Sequence, residues 1–180
     1  MTFLEKELED FVFEMIKIGN EEEFEIRGFD EFNADATYFR QLALGSYGVA
    51  DIVGFDLELK KDKTLKGSIQ VFELKKQDVN KDTFIQALKY VKGIKHFLER
   101  EHDCKYFSIR FEIILMGTDI DTNNCFIYLP DVFSEIKIYS AYFDPLNGIK
   151  FKLHEDYCPT NLVLPNIGDL LKKVTKETHD

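Results

Sequence analysis

The sequence predicts an α/β fold in the order helix, three strands, helix, strand, followed by a β-rich extension. Residues 2–18 and about 80–101 place apolar side chains at helical spacing. Between and after them come Val-, Ile- and Phe-rich runs bounded by turn residues, which read as strands. Beyond residue 119 only short strand-like runs follow, separated by Pro130 and by Pro145-Leu-Asn-Gly148.

The first helix has Thr2 as its cap, with Glu5 three residues on completing a capping box. Leu4, Leu8, Phe11, Val12 and Met15 share one face, and Gly19-Asn20 ends the helix. Glu5 borders the apolar stripe, Glu9 lies further round, and Glu7 and Glu14 lie opposite, so a solvated face accounts for the glutamates as a group. Residues 21–35 are acidic and read as an irregular connection with a short extended piece over 24–29. Residues 37–44 read as a strand closed by Gly45-Ser-Tyr-Gly48, which leads into residues 49–59 as a hairpin. The polar run 60–67 then turns the chain into a third strand, 68–75, giving an antiparallel meander.

Asn80-Lys-Asp-Thr opens the second long helix, with Phe84, Ile85, Leu88, Val91, Ile94 and Leu98 as its apolar stripe. Residues 107–116 form a buried strand ended by Gly117. In the extension, 125–129, 135–142 and 149–154 read as short strands and 167–176 as a last amphipathic helix. The whole, residues 1–180, reads as a single domain with a core over 1–118 and the extension over 119–180.

The chain has 180 residues, 44% of them hydrophobic, with 17 Phe and 8 Tyr, which is enough apolar mass for a sizeable core and argues against disorder. Net charge is −10, the opposite of the balance expected for a dedicated nucleic-acid binder. Cys104, Cys125 and Cys158 have no metal-binding spacing and are odd in number, which speaks against a disulfide framework and for a reducing, cytoplasmic setting. The first residues lack the pattern of a signal peptide, and no apolar run approaches the 18 residues of a membrane span.

The chemistry concentrates in two strands, Gly48-Val-Ala-Asp51-Ile-Val and Val71-Phe-Glu73-Leu-Lys75. Strand alternation puts Glu73 and Lys75 on one face and Phe72 and Leu74 on the other. A carboxylate and an ammonium within an apolar strand are expensive to bury unless they pair or bind a metal. If the two strands are neighbours, Asp51, Glu73 and Lys75 converge, a set suited to Mg²⁺ beside a base or charge stabiliser.

The pair of motifs resembles the PD-(D/E)XK nuclease superfamily, in which a hairpin presents an Asp on one strand and (D/E)xK on the next. The residue before Asp51 is Ala rather than Pro, a position that varies in the superfamily. Gln86-Ala-Leu-Lys-Tyr90 is similar to the QxxxY motif of RecB-like members, where these residues support the active site. Leu4-Glu5-Lys-Glu-Leu8-Glu9 resembles a first helix that contributes a glutamate to the metal, with Glu5 and Glu9 both open. The resemblance covers residues 2–117 and implies a restriction-endonuclease-like α-β-β-β-α-β core with a mixed central sheet. It implies a Mg²⁺-dependent nuclease acting on DNA, with Mn²⁺ as a substitute ion. Asp51 and Glu73 with Glu5 or Glu9 would hold the metal, Lys75 would act on the attacking water, and Gln86 and Tyr90 would shape the site.

The acidic balance keeps a second class in view: a nuclease-fold binding or regulatory module without catalysis of its own, working with a partner protein or as a homodimer. Weaker candidates complete the set. Arg40 and Gln41 precede the Asp hairpin, and one of them faces the site or both face solvent. Asp56 falls on the opposite face from Asp51. Asp119, Asp121 and Asn123 lack the Gly and Glu of a calcium loop, and His96, His102, His154 and His179 have no ligand spacing. Lys89, Lys92 and Lys95 line one side of the second long helix, facing solvent or a phosphate backbone.

Overall fold

A computed structural model describes residues 5–101, 107–122 and 128–154. Helix α1 (Glu5–Ile18) leads into a second helix, α2 (Glu21–Arg27). Three antiparallel strands follow: β1 (Thr37–Ala43), β2 (Val49–Leu59) and β3 (Leu65–Leu74). After the two-residue strand β4 (Asp78–Val79), helix α3 (Lys81–Glu101) crosses to β5 (Phe107–Gly117), which lies parallel to β3. Strand β6 (Asp119–Ile120), the short helix α4 (Leu129–Val132) and strands β7 (Ile136–Asp144) and β8 (Gly148–Leu153) complete the fold. The central sheet is mixed and six-stranded, in the order β1-β2-β3-β5-β7-β8.

The sheet is covered on both faces. Leu8, Val12, Met15 and Ile16 of α1, with Phe24 of α2, pack on Ile52, Phe72, Leu74, Ile114 and Met116. Each such side chain stabilises the fold by about 1.5–3 kcal/mol relative to exposure. On the other face Ala87, Tyr90, Val91, Ile94 and Leu98 of α3 pack on Ala50, Val53, Ile69, Val71, Ile113 and Leu115. Strand β3 is the spine, buried from Ile69 through Leu74 because helices cover it on both sides.

Several expectations are corrected. The segment over 21–27, expected to be irregular with an extended piece, is helical. Asn20 caps it by accepting from the Glu23 N–H, Phe24 is buried, and Gly28 closes it in a left-handed conformation. Acidic composition hid a short helix whose stability comes from docking: Arg27 donates to the carbonyls of Asn147 at 2.7 Å and Ile149 at 2.8 Å, beside β8. On α3, Ile85 and Leu88 are exposed and the inward register is Thr83, Ala87, Tyr90–Val91, Ile94 and Leu98, because the small Ala87 lets the helix approach the sheet. Leu129, expected to end a strand, opens α4, where Pro130 in the first turn suits a helix start. In the β-rich extension, whose role the sequence left open, β7 and β8 continue the central sheet, with β7 parallel to β5.

Thr2, Leu4, the three cysteines, His102, Asn123, His179 and the helix expected over 167–176 lie outside the described residues. No helix among the described residues is long and apolar enough to cross a membrane.

The docking of α2 can be tested at Gly28. Its φ is +72°, and a Cβ there would lie 2.4 Å from the Phe151 carbonyl oxygen. Gly28→Ala is expected to lower stability by about 2 kcal/mol or more, read as a fall in urea midpoint at unchanged slope.

Candidate active site

The antiparallel register pairs Ile52 with Phe72, so the next position sets Asp51 against Glu73. Asp51 Oδ2 accepts from the Leu74 N–H at 2.8 Å, which fixes the carboxylate over the end of β3. Glu73 is fully buried. Its Oε1 accepts from Lys75 Nζ at 2.5 Å, so the two side chains meet on the shared face that strand alternation predicts. Its Oε2 is buried without a hydrogen-bond partner. Lys75 continues the ladder by donating its N–H to Met116 at 2.8 Å, and its ammonium lies 4.0 Å from Glu5 Oε1.

Helix α3 closes the site from the sheet's other side. Gln86 Nε2 donates to Tyr90 Oη at 2.6 Å, and Tyr90 is buried against Gly48. That glycine has φ +110°, and a Cβ on it would lie 3.1 Å from the Tyr90 ring, so the turn before Asp51 packs directly on the tyrosine. Burial raises the Tyr90 phenol above its usual value; the Gln86 hydrogen bond opposes this, and the charges of Glu73 and Asp51 add to it.

The two glutamates of α1 part ways. Glu9, expected to lie further from the apolar stripe than Glu5, is the buried one at 6% exposure. Arg40 Nε pairs with its Oε1, and Gln41 Nε2 donates to its Oε2 at 2.8 Å. These partners offset the cost of desolvating the carboxylate, which helical periodicity could not anticipate. Arg40 also pairs with Asp10. Gln41 has φ +51°, a left-handed conformation costing about 1–3 kcal/mol in a non-glycine residue. From there its amide reaches 3.5 Å from Asp51 Oδ1 and so connects Glu9 to Asp51. Both Arg40 and Gln41 thus face the site, and the positive φ that aims Gln41 has no signature in its residue type. Glu5 is half-exposed at the rim. A cleft of about 640 Å³ lined by Glu5, Glu9, Arg40, Gln41 and Asp51 opens here. A second of about 240 Å³, lined by Glu5, Lys75, Asn80, Thr83 and Gln86, lies beside it.

Burial, then the neighbouring Asp51, pushes the Glu73 carboxyl up to about 8 despite Lys75. Burial also raises Asp51, opposed by the Leu74 N–H and Lys75 and reinforced by Glu9 and Glu5. For Lys75 burial works downward, but Glu73, Glu5 and Asp51 outweigh it and hold the ammonium above the ordinary lysine value. A cleft with two carboxyls pressed toward protonation is short of positive charge.

A divalent cation fits that shortage. Glu73 Oε2 is an orphaned buried oxygen and Asp51 is its neighbour, and carboxylate oxygens are the hard donors that Mg²⁺ prefers. Among the described residues no group of three His, Cys, Asp or Glu is arranged as a ready-made cage. Glu9 is engaged elsewhere, and Glu5 reaches Lys75.

The other candidates lie away from this point. Asp56 accepts from Asn33 at 3.2 Å, away from Asp51. Asp119 Oδ1 accepts from the Ile120 N–H, and His154 lies 3.1 Å from Ser140 Oγ. Lys95 sits over the Phe111 ring, whereas Lys89 and Lys92 are exposed. Comparison with protein-family models, curated proteins and solved structures finds no match.

The raised Glu73 carboxyl makes stability depend on pH. From the ordinary value of 4.5 up to about 8 the folded chain holds a proton that the unfolded chain releases. Its contribution is therefore full at low pH and is lost as pH rises through the folded value. Glu73→Gln removes the loss. Without divalent ions, its melting temperature is expected to match wild type near pH ~4.5 and exceed it by about 1–2 kcal/mol equivalent near pH ~8.5. A variant equally or less stable at the higher pH would remove the basis for a strained carboxyl.

Proposed function

We propose that this protein is a Mg²⁺-dependent nuclease of the PD-(D/E)XK type that hydrolyses phosphodiester bonds in DNA. The observation that carries the reading is Glu73: a fully buried carboxylate with one unpartnered oxygen, set against Asp51 and hydrogen-bonded to Lys75. A structural ion pair would leave no orphan oxygen and would not need a second carboxylate beside it. Asp51 and Glu73 would hold the ion, which when bound would lower the pKa of a water and neutralise charge on the phosphate.

The chain's own groups have separable tasks. Lys75 is surrounded by carboxylates that keep it protonated, so it serves as a hydrogen-bond donor and positive charge toward a phosphate oxygen or the attacking water, not as the base. Gln86 and Tyr90 act as positioning residues: the amide faces the smaller cleft while the buried phenol braces the turn that leads to Asp51. The Arg40–Gln41 pair holds Glu9 and steadies Asp51 from the α1 side. Cleavage of single- and double-stranded DNA with Mg²⁺ or Mn²⁺ tests the reading. Lys75→Ala is expected to slow the cut about 10²–10³-fold. Wild type that cuts nothing, or a variant that cuts equally well, would refute catalysis.

A second reading, a nuclease-fold binding or regulatory module that depends on a partner protein or a second copy, has its own observation. Among the described residues no group of three His, Cys, Asp or Glu gathers, Glu9 is locked by Arg40 and Gln41, and the chain carries net charge −10. Titration calorimetry separates the two. The nuclease reading expects Mg²⁺ or Mn²⁺ to bind wild type and fail to bind Asp51→Asn. A wild-type chain that takes up neither ion would favour the module.

A further inference from the structure

A groove of about 410 Å³ lies outside the site, between the turn Gly45–Tyr47 and α3, with Tyr47, Gly93, His96, Phe97 and Arg100 among its walls. From this groove, and resting on the nuclease reading, we infer that the substrate is presented as a single strand with one unpaired base held between Tyr47 and Phe97.

Four observations converge on it. Phe97 is 55% exposed on a helix whose other aromatic residues, Phe84 and Tyr90, pack inward, so its ring is available at the groove. Tyr47 is held as a wall: its ring meets His96 edge-on at 6.2 Å and its hydroxyl lies 3.3 Å from His96 Nδ1. Gly93 lets the Tyr47 ring pack directly on α3, since a Cβ there would lie 2.9 Å from Tyr47 Cγ, and this fixes the ring in place. The volume suits one nucleotide, being at the small end of pockets that take compact ligands.

Charge selects the occupant. In a chain of net charge −10, residues 83–98 of α3 carry Lys89, Lys92 and Lys95 and no acidic side chain. Lys89, Lys92 and His96 recur at helical spacing on one exposed side that borders the groove. An anionic backbone tracking along those lysines, with a base turned onto aromatic walls, is how single strands are bound without sequence preference. A duplex keeps its bases stacked inside and has none to offer the groove.

The groove also lies where a strand entering the site would pass. The turn that contributes Tyr47 runs through Gly48, which rests on Tyr90, to Asp51, four residues on and no more than about 13 Å away at extended spacing. Tyr47 and Phe97 touch neither Asp51, Glu73 nor Lys75 in the pairings described above, so the groove and the chemistry can be perturbed separately.

Fluorescence anisotropy with a labelled oligothymidylate in Ca²⁺, beside a duplex of the same length, tests the inference. Wild type should bind the single strand more tightly than the duplex. Phe97→Ala should lose about 10-fold or more in single-strand affinity, and Phe97→Trp should restore it. Phe97 lies outside the buried core, so its truncation leaves the core contacts in place, and matched melting curves check this. Wild-type affinity in both Phe97→Ala and Tyr47→Ala, tighter binding of duplex, or no binding of either DNA overturns the groove. Cleavage that persists while both variants keep wild-type affinity sinks the groove alone. A Phe97-dependent affinity without any cleavage sinks the nuclease reading and leaves the groove as a binding site.

Discussion

The desolvated Glu73 carboxylate is the constraint on which the site depends. It sits in the most enclosed strand of the sheet, between Phe72 and Leu74, both fully buried. A charge in that position is costly unless paired, and Lys75 answers only one of its oxygens. Asp51 adds repulsion. The fold keeps this cluster because helices on both faces over-determine β3: α1 packs on Phe72 and Leu74, α3 on Val71. Destabilising electrostatics at the end of a well-packed strand is the pattern expected of a site kept for chemistry.

Much of this was legible because period-two alternation and turn chemistry are local. The hairpin through Gly45–Gly48 follows from turn residues between β-rich runs, and its antiparallel pairing brings Asp51 beside Glu73. The contact between Glu73 and Lys75 follows from their spacing alone. What was not legible depends on partners far away in sequence. α2 is held by β8, more than a hundred residues on, so an acidic stretch gave no sign of a helix. The inward face of α3 is chosen by what fits the sheet, and Ala87 and Tyr90 take places that Ile85 and Leu88 seemed better suited to fill.

Glu9 is the sharpest case. A helical wheel ranks it behind Glu5 for facing inward, yet it is buried because β1 supplies a guanidinium and an amide at the right height. Gln41 supplies its amide only by adopting a backbone conformation that costs free energy, and no residue type announces that. The clamp has a consequence for the cation on the proposed reading. With both Glu9 oxygens engaged and Glu5 half-exposed near Lys75, the α1 side offers one carboxylate already in use and another at the rim beside Lys75. Any third carboxylate ligand from this helix would have to break the Arg40 pair or swing from Lys75.

The acidic balance of the chain need not oppose a nucleic-acid substrate, because net charge and local field are different quantities. Beyond about a Debye length, roughly 8 Å at physiological salt, the acidic surfaces are screened from a bound backbone. What a strand meets at the groove is set by the nearest side chains, and along α3 from residue 83 to 98 those are lysines and a histidine without a carboxylate. On the proposed reading the global charge would act at long range, slowing encounter and penalising non-specific adsorption, while the groove would determine what is retained. On the proposed reading an enzyme built this way would be selective through stacking on Tyr47 and Phe97 instead of through bulk attraction, a selectivity that an acidic net charge does not oppose.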